Sequence, residues 1–275
     1  MGKIANSWGL VKQSFGILRQ DKELMLLPVL SAISCILVTV VIVGGGSLAA
    51  YPFVKDTPSG NQIFSVVALF VFYLVNYFVI VFFNTALVGA ASIRLSGGNP
   101  TLRDGLQLAW ERKGVILQWA ALAATVGVIL KLIEQRAKLL GRIVARVIGL
   151  AWSLASYFVV PILAFEKLGP IDALKRSAEL FRKTWGEQVA GGVSIGLIFF
   201  LLALPGILFP VAGFLLSGTA AVIGLALMVL YFLFLAVLSS AVSGIYTAAL
   251  YRFVTKGEVS QGFTQQNFSM AWQRR

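Results

Sequence analysis

The groups available for chemistry are few. The sequence holds no histidine, one cysteine and eleven acids, so the commonest general base and metal ligand is missing. Cys35 lies inside an apolar run, where a lone cysteine serves as a small packing residue. The acids Asp21, Glu23, Asp56, Asp104, Glu111, Glu134, Glu166, Asp172, Glu179, Glu187 and Glu258 all fall between apolar segments or at their ends. Carriers driven by protons place carboxylates within the membrane, so this placement argues against proton coupling. It argues equally against acid–base catalysis. No catalytic residue, cofactor site or metal site is expected, and the phosphate-loop pattern GxxxxGK[ST] is absent.

Two groups of residues remain as binding candidates. Lys131, Lys138, Arg142 and Arg146 recur at helical spacing near one face, with Glu134 placed to pair with Lys138 at i+4. Leu132, Leu139, Leu140, Ile143 and Val147 form the apolar side of the same stretch. Such a strip suits anionic lipid headgroups or an acidic partner; a plainer account is an interfacial helix whose bases snorkel to water. The second group is neutral: Asn76 and Asn84, near Tyr73, then Ser153, Ser156 and Tyr157, then Ser240 and Ser243. These could line a polar intramembrane cavity, or hydrogen-bond across packed helices.

The elements that must position these residues follow from composition. Apolar residues make up 58% and charged residues 12%, against roughly 45–50% and ~25% in soluble domains. No charge occurs from Glu23 to Lys55, from Asp56 to Arg94, or from Glu187 to Arg252. Runs beyond about 18 apolar residues read as membrane helices. The expected fold is all-α and polytopic, with about six transmembrane helices over 24–43, 63–93, 114–130, 147–165, 189–208 and 220–250. Residues 51–62, with Pro52, Pro58 and Gly60, read as a loop. Pro205, Gly206, Pro210, Gly213 and Gly218 would fold the last long apolar run back on itself. The first apolar run is too long for the core of a cleavable leader and reads as a retained helix.

Three charged amphipathic segments precede helices one, three and five. Ile4, Trp8, Val11, Phe15 and Leu18 form one stripe; Leu102, Leu106, Ala109 and Trp110 a weaker one; Ile171, Leu174, Ala178, Phe181 and Trp185 a third. The chain therefore reads as one membrane domain, 1–275, built of three hairpin-like repeats, each led by an interfacial helix: 1–96, 97–168 and 169–256, with a tail at 257–275.

The net charge of +12 is a topological signal. Seventeen of the 23 Lys and Arg fall in the N-terminal, second, fourth and C-terminal segments between spans. The positive-inside bias then puts both termini in the cytoplasm. Five of the other six lie at 131–146. No nucleic-acid signature accompanies the charge, and no nucleic acid is expected as a partner.

The chain also resembles a known family. The residues that carry the likeness are Trp152-Ser153-Leu154, Val160-Pro161, Gly169-Pro170, Ala173-Leu174-Lys175-Arg176-Ser177, Phe181 through Glu187, Tyr246 through Arg252, and the stretch from Leu18 to Pro28. They are similar to uncharacterised six-helix bacterial integral membrane proteins, distantly similar in turn to the membrane part found beside glycerophosphodiester phosphodiesterase domains. The resemblance implies fold and inner-membrane location but no activity. The phosphodiesterase domain itself has no counterpart here.

Two readings follow. One is a non-catalytic protein that binds or organises lipid, particularly anionic lipid, or serves a membrane complex as partner or homo-oligomer. The other is a small permease or lipid transporter without coupling carboxylates; internal repeats are common in transporters.

Overall fold

A computed structural model describes residues 3–45, 58–136 and 138–258. Among the described residues every regular element is helical: α1 (Lys3–Gln20), a 3-10 turn (Lys22–Met25), α2 (Leu26–Thr39) with a wider π-helical end (Val40–Gly45), α3 (Pro58–Leu95), α4 (Leu102–Glu111), α5 (Lys113–Arg136), α6 (Leu139–Ala155), α7 (Val159–Phe165), α8 (Pro170–Ala203), a 3-10 turn (Leu204–Ile207), α9 (Leu208–Leu216) and α10 (Gly218–Lys256). Six stretches are long and apolar enough to cross a membrane: Lys22–Gly45, Phe64–Leu95, Lys113–Arg136, Leu140–Phe165, Ile195–Leu216 and Gly218–Lys256. The all-helical, six-span reading therefore holds.

The span ends differ from the sequence expectation, for local reasons. Helix α3 starts at Pro58, inside the expected loop, because proline suits the first helical position. The rest of that loop lies largely outside the described residues. Helix α5 runs past Leu130 to Arg136, through Lys131, Leu132, Glu134 and Gln135, which favour helix. The fourth span begins well before Val147 and breaks at Ser156–Phe158. Pro161 explains the break, since it has no N–H for the carbonyl four residues back and its ring crowds that carbonyl. In the fifth span Pro205 and Gly206 tighten the helix without reversing it. The reversal falls on one extended residue, Ser217 (φ −170°, ψ 165°), whose hydroxyl accepts the Ala220 N–H and so caps α10. Gly257, at φ 69°, ends α10 in the left-handed conformation that favours glycine.

The chain divides into two compact units. The first comprises Met1–Pro28, Ala90–Pro100 and Thr184–Arg275. Here α1 and α9 both pack on α10, with Phe15 stacked on Phe199 at 6.0 Å. Leu24, Leu27, Val242, Ile245, Tyr246 and Leu250 are buried. The α9–α10 approach depends on two glycines. A Cβ on Gly213 would lie 2.3 Å from the Ala220 carbonyl oxygen, and one on Gly224 would lie 2.3 Å from the Phe209 carbonyl oxygen. Leu208, Val211, Phe214 and Leu215 on α9 are exposed, as expected of side chains that meet lipid tails.

The second unit comprises Val29–Gly89 and Thr101–Lys183. Helices α5 and α6 form an antiparallel pair, with Trp119 and Trp152 stacked at 5.5 Å and nearly parallel. The break between α6 and α7 is closed by Ser177 of α8, whose buried hydroxyl accepts the Phe158 N–H at 2.9 Å. Helix α4 opens on a capping box: the Asp104 N–H donates to Thr101 Oγ1, and the Asp104 carboxylate accepts the Thr101 N–H. Those hydrogen bonds from the Thr101 backbone and hydroxyl, with Arg103 adding attraction, hold the Asp104 carboxyl below the usual carboxylate range.

The amphipathic segments are helical, and on two of them the protein core covers only part of the helix surface. On α4 the buried residues are Gly105 and Ala109, whereas Trp110 is exposed and carries the Lys113 ammonium 3.9 Å from its ring centroid. The interface suits such an amphipathic ring. At the start of α8, Ala173, Ser177 and Leu180 are buried, and Ile171 is exposed. Of the expected stripe, Leu174, Ala178 and Phe181 are half-buried, and the Trp185 side chain lies outside the described residues. On α1, Ile17 and Leu18 are buried and Lys12 and Arg19 exposed.

Candidate cleft at the α5–α6 tip

Helix α5 ends at Arg136 and α6 starts at Leu139, so the tip of the pair is tight. Beside it α3 presents Tyr73 and Tyr77, one turn apart and stacked at 5.8 Å with 24° between the rings. Together they line an open cleft of about 330 Å³ whose polar walls are Tyr73, Tyr77, Lys131, Glu134 and Arg146. Gly127, Leu130 and Ala145 complete the lining. Gly127 lines the cleft close to Tyr77: a Cβ there would meet the Tyr77 side chain at 3.6 Å, an ordinary contact.

The cleft is electrostatically mixed. Glu134 stands between two cations, with Lys131 Nζ at 3.6 Å from Oε2 and Arg146 Nε at 3.9 Å from Oε1. Both separations exceed hydrogen-bond length. The Glu134 and Lys131 side chains are 37% and 43% exposed, and Arg146 is 75% exposed. Solvated pairs of this kind contribute about 0–1 kcal/mol, so each cation can exchange Glu134 for another anion.

The four expected bases are thus divided. Lys131 is on α5, while Lys138 stands at the N-cap position of α6 without a side-chain capping bond, and Arg142 and Arg146 belong to α6. The helix break after Arg136 removes the single face that their spacing suggests. Glu134 pairs with Lys131 and Arg146 and not with Lys138. Lys138 and Arg142 are exposed beside the tip.

The neutral candidates do not line this cleft. Asn76 Nδ2 donates to the Phe72 carbonyl of its own helix at 2.9 Å. Asn84 is half-buried on α3, and Ser153 is exposed. Ser156 donates to the Ser153 carbonyl at 3.3 Å. Tyr157 packs its ring on Phe158 and Phe181. Ser240 and Ser243 are half-buried on α10, in the other unit. Among the described residues, no group of three His, Cys, Asp or Glu could hold a metal ion.

The first unit contains polar contacts that spacing alone did not suggest. Arg94 Nε donates to Asp21 Oδ2 at 3.1 Å, and its Nη2 donates to Asn99 Oδ1 at 3.2 Å. Arg252 Nη1 donates to the Ser92 carbonyl at 2.9 Å and to Ser96 Oγ, and its Nη2 to Glu258 at 3.1 Å. The guanidinium thereby meets the carbonyl end of α3, where a cation opposes the helix dipole favourably. The sequence signal was the presence of Asp21, Arg94 and Arg252 at the ends of spans. It says that these charges are near an interface, not that they meet one another.

Comparison with known proteins gives one result. The model of a family of unknown function, DUF6159, matches residues 63–263, well over half the chain. No curated protein matches.

Proposed function

The chain belongs to the DUF6159 family of unknown function, and on that premise we propose a non-catalytic membrane protein whose α5–α6 cleft holds the phosphate of a phospholipid headgroup. The observation that carries this reading is the pairing of Lys131 and Arg146 through long, solvated contacts to Glu134 beside two tyrosines. Depth supports it. Lys131 lies 18 positions along α5 from Lys113, about 27 Å of rise, close to the ~30 Å of a hydrocarbon core. A cleft at that level meets headgroups. Lys138 and Arg142, exposed beside it, would gather anionic lipid around the tip.

The setting we infer is a bacterial inner membrane. Both termini are cytoplasmic and the cleft faces outward, by the distribution of Lys and Arg. In that setting it would act as a lipid-facing accessory or organiser, alone, with a membrane-protein partner or as a homo-oligomer.

A second reading has its own support. The fourth span is interrupted at Ser156–Phe158 and the fifth tightens at Leu204–Ile207. Discontinuous helices are common in transporters, so a small permease or lipid transporter is the alternative.

Purification in mild detergent, followed by native mass spectrometry, tests the leading reading. Wild-type protein should retain phospholipid that the Lys131→Glu/Arg146→Glu double variant loses. Equal retention by a folded double variant would remove the reading. Uptake of a solute into proteoliposomes, abolished by filling the cleft with Gly127→Leu, would favour the permease.

A further inference from the structure

We propose that the cleft selects a headgroup in which a phosphate is joined by a short chain to an ammonium, the chemistry of phosphoethanolamine, rather than a purely anionic one. This rests on the lipid-binding reading of the same cleft. The central residue is Glu134. A site for a simple anion gains nothing from a carboxylate between its two cations, because the ligand would then meet a like charge. A ligand with both signs removes that conflict. When Lys131 and Arg146 turn to the phosphate, Glu134 is left without its partners, and the ammonium replaces them.

The tyrosines fit the same ligand. Tyr73 and Tyr77 form one aromatic wall of the cleft, and ring faces attract ammonium groups. Their hydroxyls can also donate to phosphate oxygens. At about 330 Å³ the cleft is at the small end of ligand sites, which span roughly 300–1,000 Å³. That is room for a headgroup and not for acyl chains. Ile133 on α5 and Ile143 and Val147 on α6 are exposed apolar side chains of the same helices, against which chains can lie.

The test is a competition on the full-length protein in detergent with equal amounts of phosphatidylethanolamine and phosphatidylglycerol, read by native mass spectrometry. Wild type should retain the ethanolamine lipid in several-fold excess. Glu134→Gln should still retain phospholipid but lose that excess, by roughly fivefold to tenfold. Tyr77→Leu should shift the ratio the same way and gives an independent check should Glu134→Gln fold poorly. A wild-type preference for phosphatidylglycerol, or an unchanged ratio in both folded variants, would overturn selection by Glu134 while leaving phosphate binding intact. Absence of any retained phospholipid would overturn phosphate binding as well. Adding soluble glycerophosphoethanolamine separates the two sources of this chemistry. Displacement of the lipid means that the free headgroup suffices; continued retention means that the lipid-anchored form is the ligand. Either result supports the recognition proposed.

Discussion

Arg94 closes the end of α3 onto Asp21, the residue that joins α1 to the first span, through a 3.1 Å contact between Nε and Oδ2. The Asp21 side chain is only 7% exposed. Removing Arg94 therefore leaves a buried carboxylate without its charge partner, a loss of about 1–3 kcal/mol. Thermal unfolding in detergent should show Arg94→Ala and Asp21→Ala each destabilised, and the double variant less so than their sum. Additive losses would mean that the pair is not coupled.

Ser177 is expected to matter more than the serines of the fourth span. Its hydroxyl is the partner of the Phe158 N–H where Pro161 breaks the helix. Ser177→Ala removes the hydroxyl to which the buried Phe158 N–H donates and should cost about 1–3 kcal/mol. Ser153→Ala, at an exposed position, should change the unfolding midpoint little. Equal effects would contradict the role given to Ser177.

The α9–α10 turn supplies an internal control among glycines. Gly213→Ala and Gly224→Ala place a methyl 2.3 Å from backbone carbonyl oxygens, whereas Gly218→Ala meets nothing within 4 Å. The first two should cost about 1–3 kcal/mol by overpacking and lower the yield of folded protein. The third should be silent. A silent Gly224→Ala would show that the two helices are not in this contact.

The capping box predicts a pH effect confined to α4. The Asp104 carboxyl is depressed by its bonds to Thr101. Its contribution is thus fully present above the ordinary carboxylate value of about 4, and is lost as pH falls through the lower folded value. Amide exchange over 102–105, corrected for the intrinsic pH dependence, should show constant protection from neutral pH to about pH 4 and fraying below. In Asp104→Ala, fraying should already be present at neutral pH. Acid fraying that persists unchanged in Asp104→Ala would assign it to another group.

How much of this was legible beforehand depended on range. Six spans were readable because lipid imposes one chemistry on about 20 consecutive residues. The sequence reads the fourth span as unbroken over 147–165 and gives the turn to the breakers from Pro205 to Gly218, whereas the helix breaks before Pro161, turns at Ser217 and is only tightened at Pro205 and Gly206. Contacts from outside the segment also bear on its course: the Tyr231 hydroxyl donates to the Leu202 carbonyl. The cleft was half legible. Lys131 and Arg146 stood out by charge, but Tyr73 and Tyr77 are distant in sequence and reach the cleft only through packing of α3. The Arg94–Asp21 and Arg252–Ser92 contacts were invisible for the same reason: spacing assigns a residue to a face and says nothing of what meets that face.

The most direct test of lipid binding at the cleft is a photo-crosslink from within it. The full-length protein would carry a benzophenone amino acid in place of Tyr77 and be irradiated in its native membrane. Mass spectrometry of the purified protein should show a phospholipid adduct from position 77 that disappears when Lys131→Glu and Arg146→Glu are added. A control probe replacing Phe165, exposed at the end of α7, should be insensitive to the same substitutions. No lipid adduct at position 77, or an adduct that the charge reversals leave unchanged, would contradict the account.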